Sequence, residues 1–101
     1  MRIIVMFDLP VKTAENRRNY NRFRRELIKN GFVMMQESIY TRMLLNQTAM
    51  HSACQFIKKI KPPEGLIQIL TITEKQFANI EYILGESKSE VIENDERLII
   101  L

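Results

Sequence analysis

The segment that decides the fold is residues 2–13, "RIIVMFDLPVKT", because its apolar run stops abruptly at an aspartate and a proline. Residues 2–9 show no helical period and end at Pro10, which predicts a first β-strand. Thr13 is a suitable N-cap, and helical spacing of apolar residues then continues until Gly31. A strand followed at once by a long amphipathic helix therefore opens the chain.

The later segments alternate in the same way between strand and helix patterns. Short apolar runs predict strands at residues 32–35, 38–45 and 66–73, and a helix occupies residues 47–60. The order β-α-β-β-α-β is that of the ferredoxin-like fold, an α+β fold with an antiparallel sheet and both helices on one face.

Further segments follow this unit. Residues 80–85, "IEYILG", are predicted to form a short fifth strand, so the ferredoxin-like domain with this strand spans residues 1–85. Residues 86–96 are predicted to be a polar, acidic linker, and residues 97–101 are predicted to form a C-terminal strand for a dimer or partner contact.

The first strand is apolar on both of its sides. Ile3, Val5 and Phe7 alternate with Ile4 and Met6, and the strand at residues 66–73 repeats the pattern. A sheet covered by helices on one face only should instead alternate apolar and polar residues. We therefore expect a second copy of the chain to cover the open face, giving a symmetric homodimer.

Composition is ordinary for a globular domain. The chain has 101 residues, of which 46% are hydrophobic and 27% charged, so one domain with one core is expected. No segment approaches the roughly 20 apolar residues of a membrane span. The single Cys54 excludes an internal disulfide framework, which suits a reducing compartment and predicts a cytoplasmic location.

The net charge of +3 is distributed unevenly. Residues 1–85 contain 13 Lys and Arg against 7 acids, whereas residues 86–101 contain 2 against 5. A basic body with an acidic tail predicts an anionic partner for the body.

The first helix concentrates this positive charge. Four basic side chains fall within an arc of about 60°, opposite the apolar stripe, and extend over about 16 Å: Arg18, Arg22, Arg25 and Lys29. Arg17 and Arg24 flank the stripe. Guanidinium groups suit phosphate because they donate two parallel hydrogen bonds. A solvated helix face is the alternative, but such faces usually mix both signs, so we favour phosphate binding.

Asp8 has two interpretations. It shares a strand face with Ile4 and Met6, so the proposed dimer would bring two Asp8 carboxylates together, where they repel unless protonated or bridged by a cation. Mg²⁺ needs only one or two carboxylates, and a magnesium site shared between protomers is therefore one interpretation. The other is a simple turn before Pro10.

Four segments together resemble a known family: "MRIIVMFDLP", "LIKNGFVMMQESIYTRML", "PPEGLIQILTITEKQF" and the C-terminal "ERLIIL". The chain is similar over nearly its whole length to the small CRISPR-associated family-two protein, the non-integrase subunit of the spacer-acquisition complex. The segments "GFVMMQESIYTR" and "TITEKQF" look like the type II-A variant.

The resemblance implies a homodimer that holds a double-stranded DNA prespacer between two integrase dimers. It implies Asp8 as the Mg²⁺ ligand, Arg17 and Arg18 as DNA contacts, and the C-terminal strand as the integrase contact, formed by Arg97, Leu98, Ile99, Ile100 and Leu101. Many members carry a tyrosine before the aspartate, and Phe7 here is expected to remove a hydroxyl near the metal.

Two functional hypotheses follow. In the first, the chain is a structural, DNA-binding subunit in antiviral defence, with the predicted nucleic-acid contacts Arg17, Arg18, Arg22, Arg25 and Lys29. In the second, paired Asp8 carboxylates hold Mg²⁺ as the catalytic centre of an endonuclease acting on RNA or double-stranded DNA. RNA is therefore the alternative nucleic-acid partner.

Overall fold

The computed structural model describes residues 1–86. Its elements are β1 (Arg2–Asp8), α1 (Ala14–Lys29), β2 (Val33–Gln36), β3 (Ile39–Met43), α2 (Gln47–Ile60), β4 (Leu66–Ile72) and α3 (Glu74–Ala78). The strands form one antiparallel sheet in the order β2-β3-β1-β4. The predicted ferredoxin-like α+β fold is confirmed.

The fifth strand predicted at residues 80–85 is wrong. These residues form no strand, and the side chains of Ile83 and Leu84 are 89% and 95% exposed. The apolar run satisfied the strand pattern, but a strand also needs a neighbouring edge to pair with, and no described strand pairs with this segment. The predicted linker and C-terminal strand lie outside the described residues, apart from Glu86 at the start of the linker.

Polar side chains at the N-termini set where the helices begin. The Thr13 hydroxyl accepts a hydrogen bond from the Asn16 amide at 3.0 Å, and the Asn16 side chain accepts one from the Thr13 amide at 3.2 Å. This reciprocal capping box satisfies two amides that lack partners within α1. Asn46 caps α2 by accepting from the Ala49 amide at 2.8 Å.

The core lies between the helices and one face of the sheet. Phe23 and Leu27 of α1 are fully buried, as are Ile3 and Val5 of β1. Phe7 joins them, with its ring edge-on to Phe23 at a centroid distance of 5.0 Å. Such perpendicular aromatic pairs are favourable beyond the area they bury.

The opposite face of the sheet, called the open face here, is also apolar. Cross-strand partners share a face, and Ile4 pairs with Thr41 on β3 and with Leu70 on β4. Leu70 is 49% exposed and Leu66 is 54% exposed. The predicted apolar pattern on both sides of β1 is therefore present, and the described residues leave much of the β4 side of the open face uncovered.

The two edges of the sheet differ in regularity. The β2 edge has only four residues, and its pairing with β3 shifts register between Met34 and Gln36. The β4 edge has seven residues, all of which pair in sequence with β1.

Arg2 holds α3 against the end of β1. Its Nε donates to Glu74 Oε2 at 3.0 Å, and a terminal nitrogen donates to Oε1 at 2.7 Å. The guanidinium carbon also lies 4.0 Å from the centroid of the Phe77 ring, a cation–π contact. The hydrogen bonds from Arg2 hold the pKa of the Glu74 carboxyl below its usual value.

We predict a pH-dependent loss of stability in Glu74→Gln. Because the pKa of Glu74 is lowered in the folded chain, its contribution is present above the unfolded pKa and is lost as the pH falls through the folded pKa. The pair is partly exposed and screened, so the expected loss at pH 7 is at most about 1 kcal/mol. Urea unfolding at pH 7 and pH 3 measures it, and the difference from wild type should be smaller at the lower pH.

Glu81→Gln is the control, because this carboxylate is exposed and makes no ion pair with the described residues. A difference between wild type and Glu74→Gln that stays constant with pH would contradict the assignment.

Candidate nucleic-acid interface

The outer side of α1 carries a row of arginines directed to solvent. Burial of Phe23 and Leu27 fixes the inner side of the helix, so Arg18, Arg22 and Arg25 lie exposed on the other side. With Glu15, Asn19 and Asn21 they line a shallow surface depression. The helical spacing predicted this placement, and we call Arg18, Arg22 and Arg25 the arginine row.

The other two predicted contacts on α1, Arg17 and Lys29, already have partners. A terminal nitrogen of Arg17 donates to the carbonyls of Val11 and Lys12 at 3.2 and 3.3 Å. Lys29 Nζ lies 3.6 Å from a carboxylate oxygen of Glu26. Of the predicted contacts, the arginine row alone makes no ion pair or side-chain hydrogen bond with the described residues.

Arg24 connects α1 to the sheet. Its Nε donates to the Tyr40 hydroxyl at 2.7 Å, and this hydrogen bond raises the pKa of Arg24 above its ordinary value. Tyr40 is fully buried, so its hydroxyl needs a partner. Sequence reasoning missed this contact because it placed Arg24 only beside the apolar stripe; the signal was a tyrosine at a core position of β3.

Asp8 is the last residue of β1 and is exposed. It pairs in register with Leu66 of β4, at one end of the open face. Its carboxylate oxygens are hard donors of the kind that Mg²⁺ prefers. Among the described residues no group of three or more His, Cys, Asp or Glu could hold a metal ion.

Phe7 lies on the other side of β1 from Asp8. Its ring is buried beside Phe23 and Tyr20, under α1. A hydroxyl on a side chain at this position would therefore enter the helix-covered core. The expectation that Phe7 removes a hydroxyl beside the Asp8 site is wrong, because adjacent strand residues face opposite sides.

Gly65 lies against the backbone that carries Asp8. Its φ of +115° favours glycine, and a Cβ there would lie 2.6 Å from Leu9 Cδ2 and 3.0 Å from the Asp8 carbonyl oxygen. Gly31 has a similar φ of +88°, but its nearest contact would be the Arg42 side chain at 3.5 Å. The absence of a side chain at Gly65 therefore allows β4 to start beside the end of β1.

Comparisons with known proteins agree on one family. The family model for "CRISPR associated protein Cas2" matches residues 1–80. A relative from Treponema denticola is 56% identical over 101 residues, covering all of both chains. A relative from Streptococcus mutans is 44% identical over 101 residues, covering all of this chain and 93% of its own. Both are named "CRISPR-associated endoribonuclease Cas2".

Solved structures support the fold. The crystal structure of Streptococcus pyogenes Cas2 at pH 6.5 superposes with a TM-score of 0.64 at 15% identity, covering 84% of this chain and all of that one. A second crystal structure of a Cas2 protein gives a TM-score of 0.55 at 20% identity, covering 88% of this chain and 91% of the other. Residues 1–86 include no helix with the length and apolar character to cross a bilayer.

We predict that Gly65→Ala destabilises the chain more than Gly31→Ala does. Both substitutions place a side chain in left-handed backbone at a cost of about 1–2 kcal/mol. Only Gly65→Ala also forces a contact with backbone, which adds about 1–3 kcal/mol. Urea unfolding measures both variants, and equal losses would show that the close approach to Asp8 and Leu9 is relaxed at no cost.

Proposed function

Since the chain belongs to the Cas2 family of CRISPR-associated proteins, we propose that it serves CRISPR defence as a double-stranded-DNA-binding subunit of the spacer-acquisition complex. The arginine row is the observation that carries this proposal. Three guanidinium groups without competing partners among the described residues are exposed on one side of a rigid helix. When these groups bind phosphate, the main free-energy costs are lost side-chain entropy and desolvation, because no ion pair with a described residue must first be broken.

The dimensions of the row suit a nucleic-acid backbone. Arg18 and Arg25 are separated by about 10 Å along the helix axis at 1.5 Å per residue. This length corresponds to about three nucleotide steps at 3.4 Å per step. Each guanidinium can donate two hydrogen bonds to one phosphate, so the row positions the duplex without reading its bases.

Pairing of two chains through their open faces would double this surface. Exposed Leu66 and Leu70 form the kind of apolar surface that a second copy covers. Since the helices lie on the far side of each sheet, a sheet-to-sheet homodimer leaves both arginine rows accessible. The integrase contact expected from residues 97–101 stays a prediction of the sequence.

Removing the arginine row should abolish tight DNA binding. Each lost phosphate contact lowers the affinity about eightfold at 0.1 M salt and the salt slope by about 0.9. The triple variant Arg18→Gln, Arg22→Gln, Arg25→Gln is therefore expected to bind a 20-base-pair duplex about 500-fold more weakly per protomer engaged. Fluorescence anisotropy over a salt series measures both quantities.

Lys75→Gln is the control, since it removes a positive charge from exposed α3, outside the arginine row. A wild-type complex that is insensitive to salt, or a triple variant that binds normally, would contradict the proposal.

A second candidate function is Mg²⁺-dependent cleavage of RNA or double-stranded DNA. The relatives from Treponema denticola and Streptococcus mutans are named as endoribonucleases, and Asp8 is an exposed carboxylate at the end of a rigid strand. In the proposed dimer, Asp8 of each protomer would hold the ion through one carboxylate oxygen or more. Bound Mg²⁺ supplies activation of water and neutralisation of phosphate charge.

Asp8→Asn separates the two functions. It removes a metal-binding charge without changing side-chain size, so we expect cleavage by the purified protein in Mg²⁺ to fall to background while duplex affinity in EDTA stays within twofold of wild type. Gel assays of labelled RNA and duplex DNA measure cleavage, with Glu81→Gln as the control. Cleavage by Asp8→Asn at the wild-type rate would exclude Asp8 as the metal ligand.

A further inference from the structure

The exposed face of α2 consists entirely of hydrogen-bond donors. Its seven exposed side chains are Gln47, Thr48, His51, Ser52, Gln55, Lys58 and Lys59. Each can donate a hydrogen bond, and none is acidic or apolar. Five of these residues, together with the edge of Phe56, line a shallow depression on the helix. We call these seven side chains the donor face of α2.

This composition is not what solvation or helix stability alone would favour. Exposed helix faces ordinarily mix acidic and basic residues. A carboxylate in the first turn is stabilised by the positive end of the helix dipole, yet the first turn of α2 contains no acid. Phosphate oxygens accept hydrogen bonds and donate none, and Lys, Ser, Thr and Gln all serve as phosphate contacts in DNA complexes.

The charge distribution places the polyanion on the helix side of the molecule. The helix layer, residues 14–29 and 47–61, contains nine Lys and Arg and two acids, a net charge of +7. The other described residues contain four Lys and Arg and six acids, a net charge of −2. The potential over the helix layer therefore attracts nucleic acid, and α2 with its C-cap residue Lys61 contributes three of its nine basic side chains.

The two helices present their charges side by side. Asn16, in the first turn of α1, donates to the Glu64 carboxylate at 3.0 Å, which joins the start of α1 to the turn that follows α2. Lys58 and Lys59 therefore lie at the same end of the layer as Arg18. Packed helices have axes about 8–10 Å apart. The minor groove is about 6 Å wide, and the phosphates of the two strands flank it, so the spacing of the helices is comparable with the spacing of the two backbones across this groove.

We propose that the donor face of α2 binds the phosphate backbone of the strand complementary to the one held by the arginine row. This inference rests on the proposed duplex-binding function. The two helices thereby contact one duplex on both of its strands. A single strand engages only the arginine row, so α2 contributes to duplex affinity and not to single-strand affinity.

The test compares three single-charge removals, Lys58→Gln, Lys59→Gln and the control Lys75→Gln on α3. For the two α2 variants, the affinity for a 20-base-pair DNA duplex should fall about eightfold at 0.1 M salt, and the salt slope should fall by about 0.9. Their affinity for the corresponding single strand should change less than twofold. Lys75→Gln should match wild type with both probes.

Gln55→Glu gives an independent measurement. It adds a negative charge to the donor face with almost no change in size or helix propensity, so it should weaken duplex binding while thermal unfolding stays as in wild type. The affinity of the single strand again serves as the internal reference.

The outcomes separate this inference from the function on which it rests. Normal duplex binding by both lysine variants and by Gln55→Glu, with loss in the arginine-row variant, overturns the inference and leaves the proposed function standing. Equal losses for duplex and single strand overturn the assignment to the complementary strand. Normal duplex binding by the arginine-row variant as well overturns both.

Discussion

Strand β1 occupies the centre of the sheet, paired along its length with β4 and along most of it with β3, and its Ile3 and Val5 are fully buried under the helix layer. Because the side chains of a strand alternate, burying Ile3 and Val5 necessarily turns Ile4, Met6 and Asp8 to the opposite side. The register of this one strand therefore decides which apolar groups remain for an interface and where the first carboxylate appears. A slip of one residue would bury Asp8 and expose the core, so the register is strongly specified.

The same alternation separates the chemistry of the two sides of the molecule. Apolar residues dominate the open face, whereas the helix layer carries the excess of positive charge. The proposed self-association through one side and the proposed polyanion binding on the other would consequently not compete for the same residues.

Local signals in the sequence were sufficient for most of the fold and for part of the site. The cap Thr13 and the helical periods predicted both long helices, and the arginine row follows from spacing alone. Contacts between distant segments were not predicted, because the hydrogen bond from Arg24 to Tyr40 and the approach of Gly65 to Asp8 depend on how elements meet. The error at residues 80–85 has the same origin, because an apolar run does not specify the edge to which it would pair.

The difference between the two edges of the sheet has a consequence for aggregation. An unpaired strand edge is a template on which further chains can stack into fibrillar aggregates. At β2 the irregular register after Met34 twists the backbone and interrupts the regular ladder of hydrogen-bond donors and acceptors. The addition of further strands at the β2 edge is therefore disfavoured. Among the described strands, polymerisation through backbone pairing would instead begin at β4, so a strand that pairs with Leu66–Ile72 would block it.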